Sequence, residues 1–328
     1  VRVCVRSESW QIAGGFRLAR GERSAAEVVV LELGQDGLTG RSECVPYARY
    51  GESVASVRHA IEAACASMGD HPSREALQTT MPAGAARNAV DCALWDLEAK
   101  RAGIPVWQLA GLRQAPAPLR TMRTLSIDTP ERMGRAAQRL ADPTIIKLKV
   151  DGGGDLARIA AVHRAVPSAA LVVDANESWS VEQLRRWLPE LGGLGVELLE
   201  QPLPAGRDEA LNELRGGVPI CADESFHDRQ SFEEIGERYD VVNIKLDKTG
   251  GLTEALRCAR EARDRSMQIM VGCMVCTSLG IEPALLLAQD ADHVDLDGAL
   301  LLERDRDGAR SDSVTGQLRS SPILWGSA

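Results

Sequence analysis

Five charged residues, Lys149, Asp174, Glu200, Asp223 and Lys245, recur at intervals of 25, 26, 23 and 22 residues, and each lies at the end of a short apolar run. The runs are "TIIKLKV", "ALVVDAN", "GVELLEQP", "VPICADES" and "DVVNIKLDK", and "QIMVGCM" and "HVDLDGA" continue the series. Helical patterns over 155–166, 180–191, 208–214, 230–236, 252–264 and 279–288 alternate with them. This alternation predicts parallel strands covered by helices, in an α/β fold. Pattern alone leaves a doubly wound sheet and a barrel open. The strand ends separate the two. In an open sheet the charged ends would lie in a row, about 4.8 Å apart from one strand to the next, too spread to address one small molecule. Closure into a barrel gathers them around one mouth, the place where barrel enzymes hold their chemistry.

The first third of the chain follows another rhythm. Strand-like runs at Val1–Val5 and Glu27–Leu33 flank a polar, glycine-containing loop over 14–23, which is expected to order only around a bound substrate. Helical patterns follow over 53–68 and 84–103, the second stopped by Gly103 and Pro105. These elements predict a compact α+β module ending near Pro116 and Pro118. With 328 residues the chain can bury a core without disulfides. No segment approaches the roughly 20 apolar residues of a membrane helix. A net charge of -9 without a Lys/Arg run argues against a nucleic-acid surface. Eight scattered cysteines and no secretory signal place the expected protein in the cytoplasm with free thiols. Cys273 and Cys276 have C-x-x-C spacing but no second pair for zinc and no redox context.

Three carboxylates on consecutive strand ends repel one another unless a cation sits among them. Asp174, Glu200 and Asp223 offer oxygen ligands only, which suits a hard cation such as Mg²⁺ and leaves positions for water and a bidentate substrate oxygen. Lys149 and Lys245 flank the triad, one unit before it and one after it, as a pair of acid and base; the ammonium of Lys147 would favour the neutral form of Lys149. The expected reaction has a substrate carboxylate chelating Mg²⁺, one lysine removing the α-proton, and the metal holding the enediolate, with Lys147 also neutralising the carboxylate. A lysine on each face gives inversion at carbon.

With those residues placed, "KLK", "VDAN", "EQP", "ADES" and "NIK" together resemble the enolase superfamily, in its muconate-lactonizing-enzyme subgroup. The resemblance extends to "GAARNAVDCALWDLEAK", a helix of that family's capping domain. It implies a modified TIM barrel, (β/α)7β, over 118–299, and an α+β cap built from 1–117 and completed by 300–328. It also implies Lys149 and Lys245 as the catalytic pair, Mg²⁺ on Asp174, Glu200 and Asp223, and Lys147 on the substrate carboxylate. Cycloisomerases, o-succinylbenzoate synthases, N-acylamino-acid racemases and dipeptide epimerases share this machinery, so the reaction stays open at this point. In "DLDG", Asp295 and Asp297 are expected on one face of a strand end, where two anions suit a substrate ammonium. That doublet is similar to dipeptide epimerases. "ARGERS", "PYARYGES", "PAGAARNA" and "GCMVCTS" are similar to those acting on L-Ala-D/L-Glu, a dipeptide of peptidoglycan. The resemblance implies Arg20, or its neighbour Arg23, on the glutamate side chain, and Thr124 and Cys273 in contact with substrate. Many members carry Glu where this chain has Cys276, which removes a carboxylate. A small-molecule dipeptide is thus the expected partner, with neither nucleic acid nor membrane, and a homo-oligomer stays open. The contrasting expectation is a silent metal-binding scaffold.

Overall fold

The computed structural model describes every residue except 1, 70–72, 142 and 215. Val1, first residue of the expected N-terminal strand, lies outside the described residues. Strands β1 (Arg2–Leu18), β2 (Gly21–Gln35) and β3 (Leu38–Cys44) form an antiparallel sheet. β2 is apolar on both faces. Val29, Leu31 and Leu33 pack with helices α1 (Val54–Ser67) and α3 (Ala85–Ala102), whereas Val28 and Val30 join the core that runs into the barrel. A reciprocal cap between Ser53 and Ser56 starts α1. The short helices α2 (Arg74–Thr80) and α4 (Val106–Leu109) flank α3. At Gly40 of β3 a Cβ would meet the Ala93 carbonyl oxygen at 2.1 Å, so only glycine lets α3 lie this close to the sheet.

The segment 14–23, expected as a loop, is the end of a long hairpin. β1 and β2 pair as far as Leu18 and Gly21, after a register shift between Gln11 and Phe16. Gly14 and Gly15, both at positive φ, accommodate that shift, so the glycines that suggest a loop make a bulge instead. Burial explains the order. Phe16 and Leu18 pack with Ile12, Ala26 and Leu302, and the Arg17 carbonyl accepts the Ile127 N–H at 3.0 Å.

After β4 (Leu119–Arg120) the barrel begins at β5 (Arg123–Leu125). Then come α5 (Pro130–Arg139), β6 (Ile145–Lys149), α6 (Asp155–Ala165), β7 (Ala170–Asp174), α7 (Val181–Leu191), β8 (Val196–Glu200) and β9 (Ile220–Ala222). The series ends with α8 (Ser231–Ile235), β10 (Val241–Lys245), α9 (Leu246–Thr249), α10 (Leu252–Asp264), β11 (Gln268–Gly272), α11 (Ser278–Leu287) and β12 (His293–Asp295). Strands β5 to β12 are neighbours in sequence order, and the Met122 N–H reaches the Val294 carbonyl at 2.9 Å across the closing seam. Met122, Val172, Leu198, Cys221, Val241 and Met270 form one apolar cluster inside the ring. Side chains alternate along a strand, so two residues on from Val172, Leu198 and Cys221 the same interior face carries Asp174, Glu200 and Asp223. The apolar floor and the charged mouth follow from one period of two.

A helix expected over 208–214 is only a 3₁₀ turn, Glu209–Asn212. The carboxylate of Asp208, which would have capped it, accepts the hydroxyls of Ser225 at 2.7 Å and Tyr239 at 2.5 Å. At the end of the chain β13 (Gln317–Leu318) pairs with β4, and the Trp325 indole donates to the Cys92 carbonyl of α3 at 3.0 Å. The sheet meets the barrel through Glu43, which accepts the Thr277 N–H at 2.7 Å and Arg306 Nη2 at 2.6 Å. Among the described residues, no helix is long and apolar enough to cross a membrane.

Glu282 of α11 ties down the same C-terminal segment, accepting the Ser321 N–H at 2.9 Å and the Ser320 hydroxyl at 3.0 Å. Burial pushes its carboxyl up to about 8. An acid raised above its unfolded value, near 4.3, contributes stability below that value and loses it as pH rises through the folded one. Glu282→Gln should therefore melt higher than wild type at pH 9, by on the order of 2 °C or more, with the gap closing toward pH 5 in thermal unfolding scans.

Candidate active site and metal centre

Strand registers bring the charged residues together. Lys149 of β6 pairs with Asp174 of β7, and Asp174 pairs with Glu200 of β8. Asp223 follows β9 directly, and Lys245 ends β10 beside Gly272 of β11. A Cβ at Gly272 would stand 2.5 Å from Asn243 Oδ1 and 3.0 Å from Lys245 Cε, so glycine here leaves room for both side chains.

Asp174, Glu200 and Asp223 are fully buried, and each offers an oxygen within 4.8 Å of the others. The lysines surround them. Lys147 Nζ lies 2.6 Å from Glu200, 2.7 Å from Asp295 and 3.1 Å from Asp174. Lys149 Nζ meets Asp174 Oδ2, and Lys245 Nζ meets Asp223 Oδ2 at 2.6 Å. The two lysines thus contact different ends of the triad. Burial opposes the charge on Lys147 and Lys245, but the adjacent carboxylates outweigh it and raise both. Burial likewise opposes charge on Asp174 and Asp223. Lys149 and Lys147 nevertheless hold the first low, and Lys245 and Lys248 the second. Glu200 goes the other way, pushed up to about 7 by burial and by Asp174.

Three clustered carboxylates of which one resists ionisation are a donor set that fits a divalent cation. All donors are oxygens, with no histidine or cysteine among them, which suits Mg²⁺.

Asp295 ends β12, whereas Asp297 opens a 3₁₀ turn over Asp297–Leu301, so the two do not share a strand as their spacing suggests. Both still line the cleft that holds the lysines. Asp297 accepts the Thr124 N–H at 2.6 Å and the Thr124 hydroxyl at 3.1 Å, and burial together with Asp295 raises it to about 6. Cys273 lines the same cleft, its sulfur 3.5 Å from the Asp295 carbonyl oxygen. Arg20 sits at the hairpin turn and is already engaged: Nη2 lies 2.6 Å from Glu224 and Nη1 lies 3.1 Å from Glu177. Arg23 also lines the cleft, its guanidinium 4.9 Å from the Tyr47 ring centroid, with no ion pair among the described residues.

Sequence reasoning passed over Asn243, Glu224 and Lys248. Asn243 Nδ2 donates to Glu200 Oε1 at 2.9 Å, and its position two residues before Lys245 is the available signal. Lys248, with a side chain wholly shielded from solvent, donates to Asp223 Oδ1 at 2.6 Å. A second lysine within an apolar strand-to-helix turn, "NIKLDK", is its signal.

Residues 1–111 match the family described as mandelate racemase / muconate lactonizing enzyme, N-terminal domain, and residues 132–307 match the enolase C-terminal domain-like family. The chain belongs to this enolase-like family. It is 46% identical over 318 residues to an L-Ala-D/L-Glu epimerase of Escherichia coli (strain K12), covering 96% of this chain and 98% of that one. It is 42% identical over 305 residues to an N-acetyl-D-glutamate racemase of Pseudoalteromonas, covering 92% and 96%. Among solved structures, an enolase family member from Agrobacterium tumefaciens with homology to dipeptide epimerases, bound to sodium and L-Ala-L-Glu, superposes with a TM-score of 0.95 at 44% identity, covering 99% of each chain.

Proposed function

We propose that this family member is a Mg²⁺-dependent epimerase that interconverts L-Ala-L-Glu and L-Ala-D-Glu, acting in the cytoplasm on dipeptide released from peptidoglycan. It is an isomerase of the racemase and epimerase kind. The observation that carries the substrate is the pair Asp295 and Asp297, two carboxylates lining the same cleft as Lys149 and Lys245. The alanine ammonium of the dipeptide would meet that pair, with the glutamate α-carbon, one residue further on, toward the lysines.

Asp174, Glu200 and Asp223 would hold Mg²⁺, which when bound supplies the positive charge that makes an α-proton beside a carboxylate removable. Lys147 adds a fixed ammonium on that side of the site. Lys149 takes the α-proton from one face and Lys245 returns one to the other. Inversion is the outcome expected of such a pair, and what supports it is that the two nitrogens contact different carboxylates of the triad, Asp174 and Asp223.

The N-acetyl-D-glutamate racemase relative favours a second reading, with an acylated amino acid as substrate. An acyl group offers no ammonium to Asp295 and Asp297, so it forgoes the charge-assisted hydrogen bonds that a free amino terminus would make there. The proposed activity therefore predicts a kcat/KM for L-Ala-L-Glu about 10²-fold or more above that for N-acetyl-L-glutamate. Equal values, or the reverse order, would transfer the protein to the second reading.

The hairpin arginines are the proposed partners of the glutamate side chain. Arg20 is already paired with Glu224 and Glu177, whereas Arg23 has no carboxylate partner among the described residues. Arg23→Met should accordingly raise KM for L-Ala-L-Glu about tenfold and flatten the preference over L-Ala-L-Gln, with the larger effect than Arg20→Met. Steady-state kinetics on both dipeptides distinguish them: selectivity lost on removing Arg20 alone would mean that substrate exchanges with Glu224.

A further inference from the structure

Lys248 has no place in the proton transfer. Its side chain is wholly shielded from solvent, and its three N–H groups are matched by three oxygens: Asp223 Oδ1 at 2.6 Å, the Asp223 carbonyl at 2.5 Å and the Asn243 carbonyl at 3.0 Å. It leaves no proton for a substrate. Its position is equally specific. α9, which carries it, starts directly after Lys245 and turns once, so Lys248 lies behind Asp223 while Lys245 faces the other oxygen, Oδ2, at 2.6 Å.

We infer that Lys248 is a positioning residue that sets the orientation of the Asp223 carboxylate, and through it the affinity of the site for a divalent cation. The inference rests on the reading of Asp174, Glu200 and Asp223 as metal ligands. Fixing Oδ1 leaves Oδ2 as the oxygen directed into the cavity, and the contact to the Asp223 carbonyl locks the main chain at the same residue. Outer partners of this kind govern how well a carboxylate is placed for a metal. Lys248 also ties two strands together. It bonds to the carbonyl of Asn243, whose amide holds Glu200, so two of the three carboxylates are braced by a linked pair, Asn243 of β10 and Lys248 of α9.

Placement and charge make opposite predictions. A cation behind a metal ligand repels Mg²⁺, so if charge alone counted, removing it would tighten binding. If placement dominates, removing it loosens binding although the repulsion has gone. Calorimetric titration of metal-free protein with Mg²⁺, in the absence of any dipeptide, reads this directly for wild type, Lys248→Met and Lys248→Gln. Lys248→Met should bind Mg²⁺ about 10- to 100-fold more weakly than wild type. Lys248→Gln, which keeps one donor for Oδ1 without the charge, should fall between them. If Lys248→Met fails to fold by circular dichroism, Lys248→Gln carries the comparison and should still bind more weakly than wild type. Unchanged or tighter binding by a folded variant overturns the role of Lys248 and leaves the metal site standing. Wild type that binds no Mg²⁺ overturns the metal site, and the inference with it.

Discussion

Lys149→Ala and Lys245→Ala should each lower epimerisation of L-Ala-L-Glu by at least about 10³-fold, within the range expected for loss of a general acid or base. The size of the loss alone does not identify a two-base reaction, because removing an ammonium also unbalances the charge of the site. Lys245 is one of two lysines on Asp223, and Lys149 is one of two on Asp174. Stereochemistry is the more specific signature. If each nitrogen serves one face, a variant that keeps only Lys149 still exchanges the α-proton of one epimer with solvent, and a variant that keeps only Lys245 exchanges that of the other. Proton exchange followed by NMR on each pure epimer checks this. Loss of exchange with the same epimer in both variants would contradict the assignment of one lysine to each face.

Removal of divalent cation is the second large effect. Chelation should abolish turnover, and Mg²⁺ should restore it. The metal also acts on stability, since a ligand that binds only the folded state at 100 times its dissociation constant adds about 2.7 kcal/mol. Thermal unfolding with saturating Mg²⁺ should shift upward by several degrees in wild type. Asp223→Asn should lose both the activity and the shift. Folding without metal is an expected outcome of the same scans, since a lysine lies against each buried carboxylate: Lys147 touches Asp174, Glu200 and Asp295 at once. A metal-independent melting temperature, with turnover unaffected by chelator, would remove the cation from the proposed reaction.

Much of this site can be read in the sequence because a parallel barrel converts a repeat along the chain into a ring in space. One strand and helix per interval, and one charged residue per strand end, suffice to place Lys149, Asp174, Glu200, Asp223 and Lys245 around one mouth. Local features are less legible. Asp297 has the spacing of a strand residue but lies on a 3₁₀ turn, because β12 ends at Asp295. Residues 14–23 have the glycine and polar content of a loop, yet long-range packing of Phe16 and Leu18 carries the hairpin through them. Arg20 shows the limit most clearly. Its position at a turn is evident from the glycines nearby, but its pairing with Glu177 and Glu224 joins residues more than 150 positions away and has no local signature. Lys248 is hidden for a related reason: burial of an ammonium is tolerated only where three acceptors converge, and that convergence exists only in the closed fold.

The most direct test of the central claim is incubation of wild type with Mg²⁺ and L-Ala-L-Glu in deuterated water, followed by NMR and mass spectrometry. Deuterium should enter the glutamate α-carbon and not the alanine α-carbon, L-Ala-D-Glu should accumulate to equilibrium with its epimer, and chelator should stop both. A folded, Mg²⁺-loaded enzyme that leaves the glutamate α-proton unexchanged would contradict the proposed function.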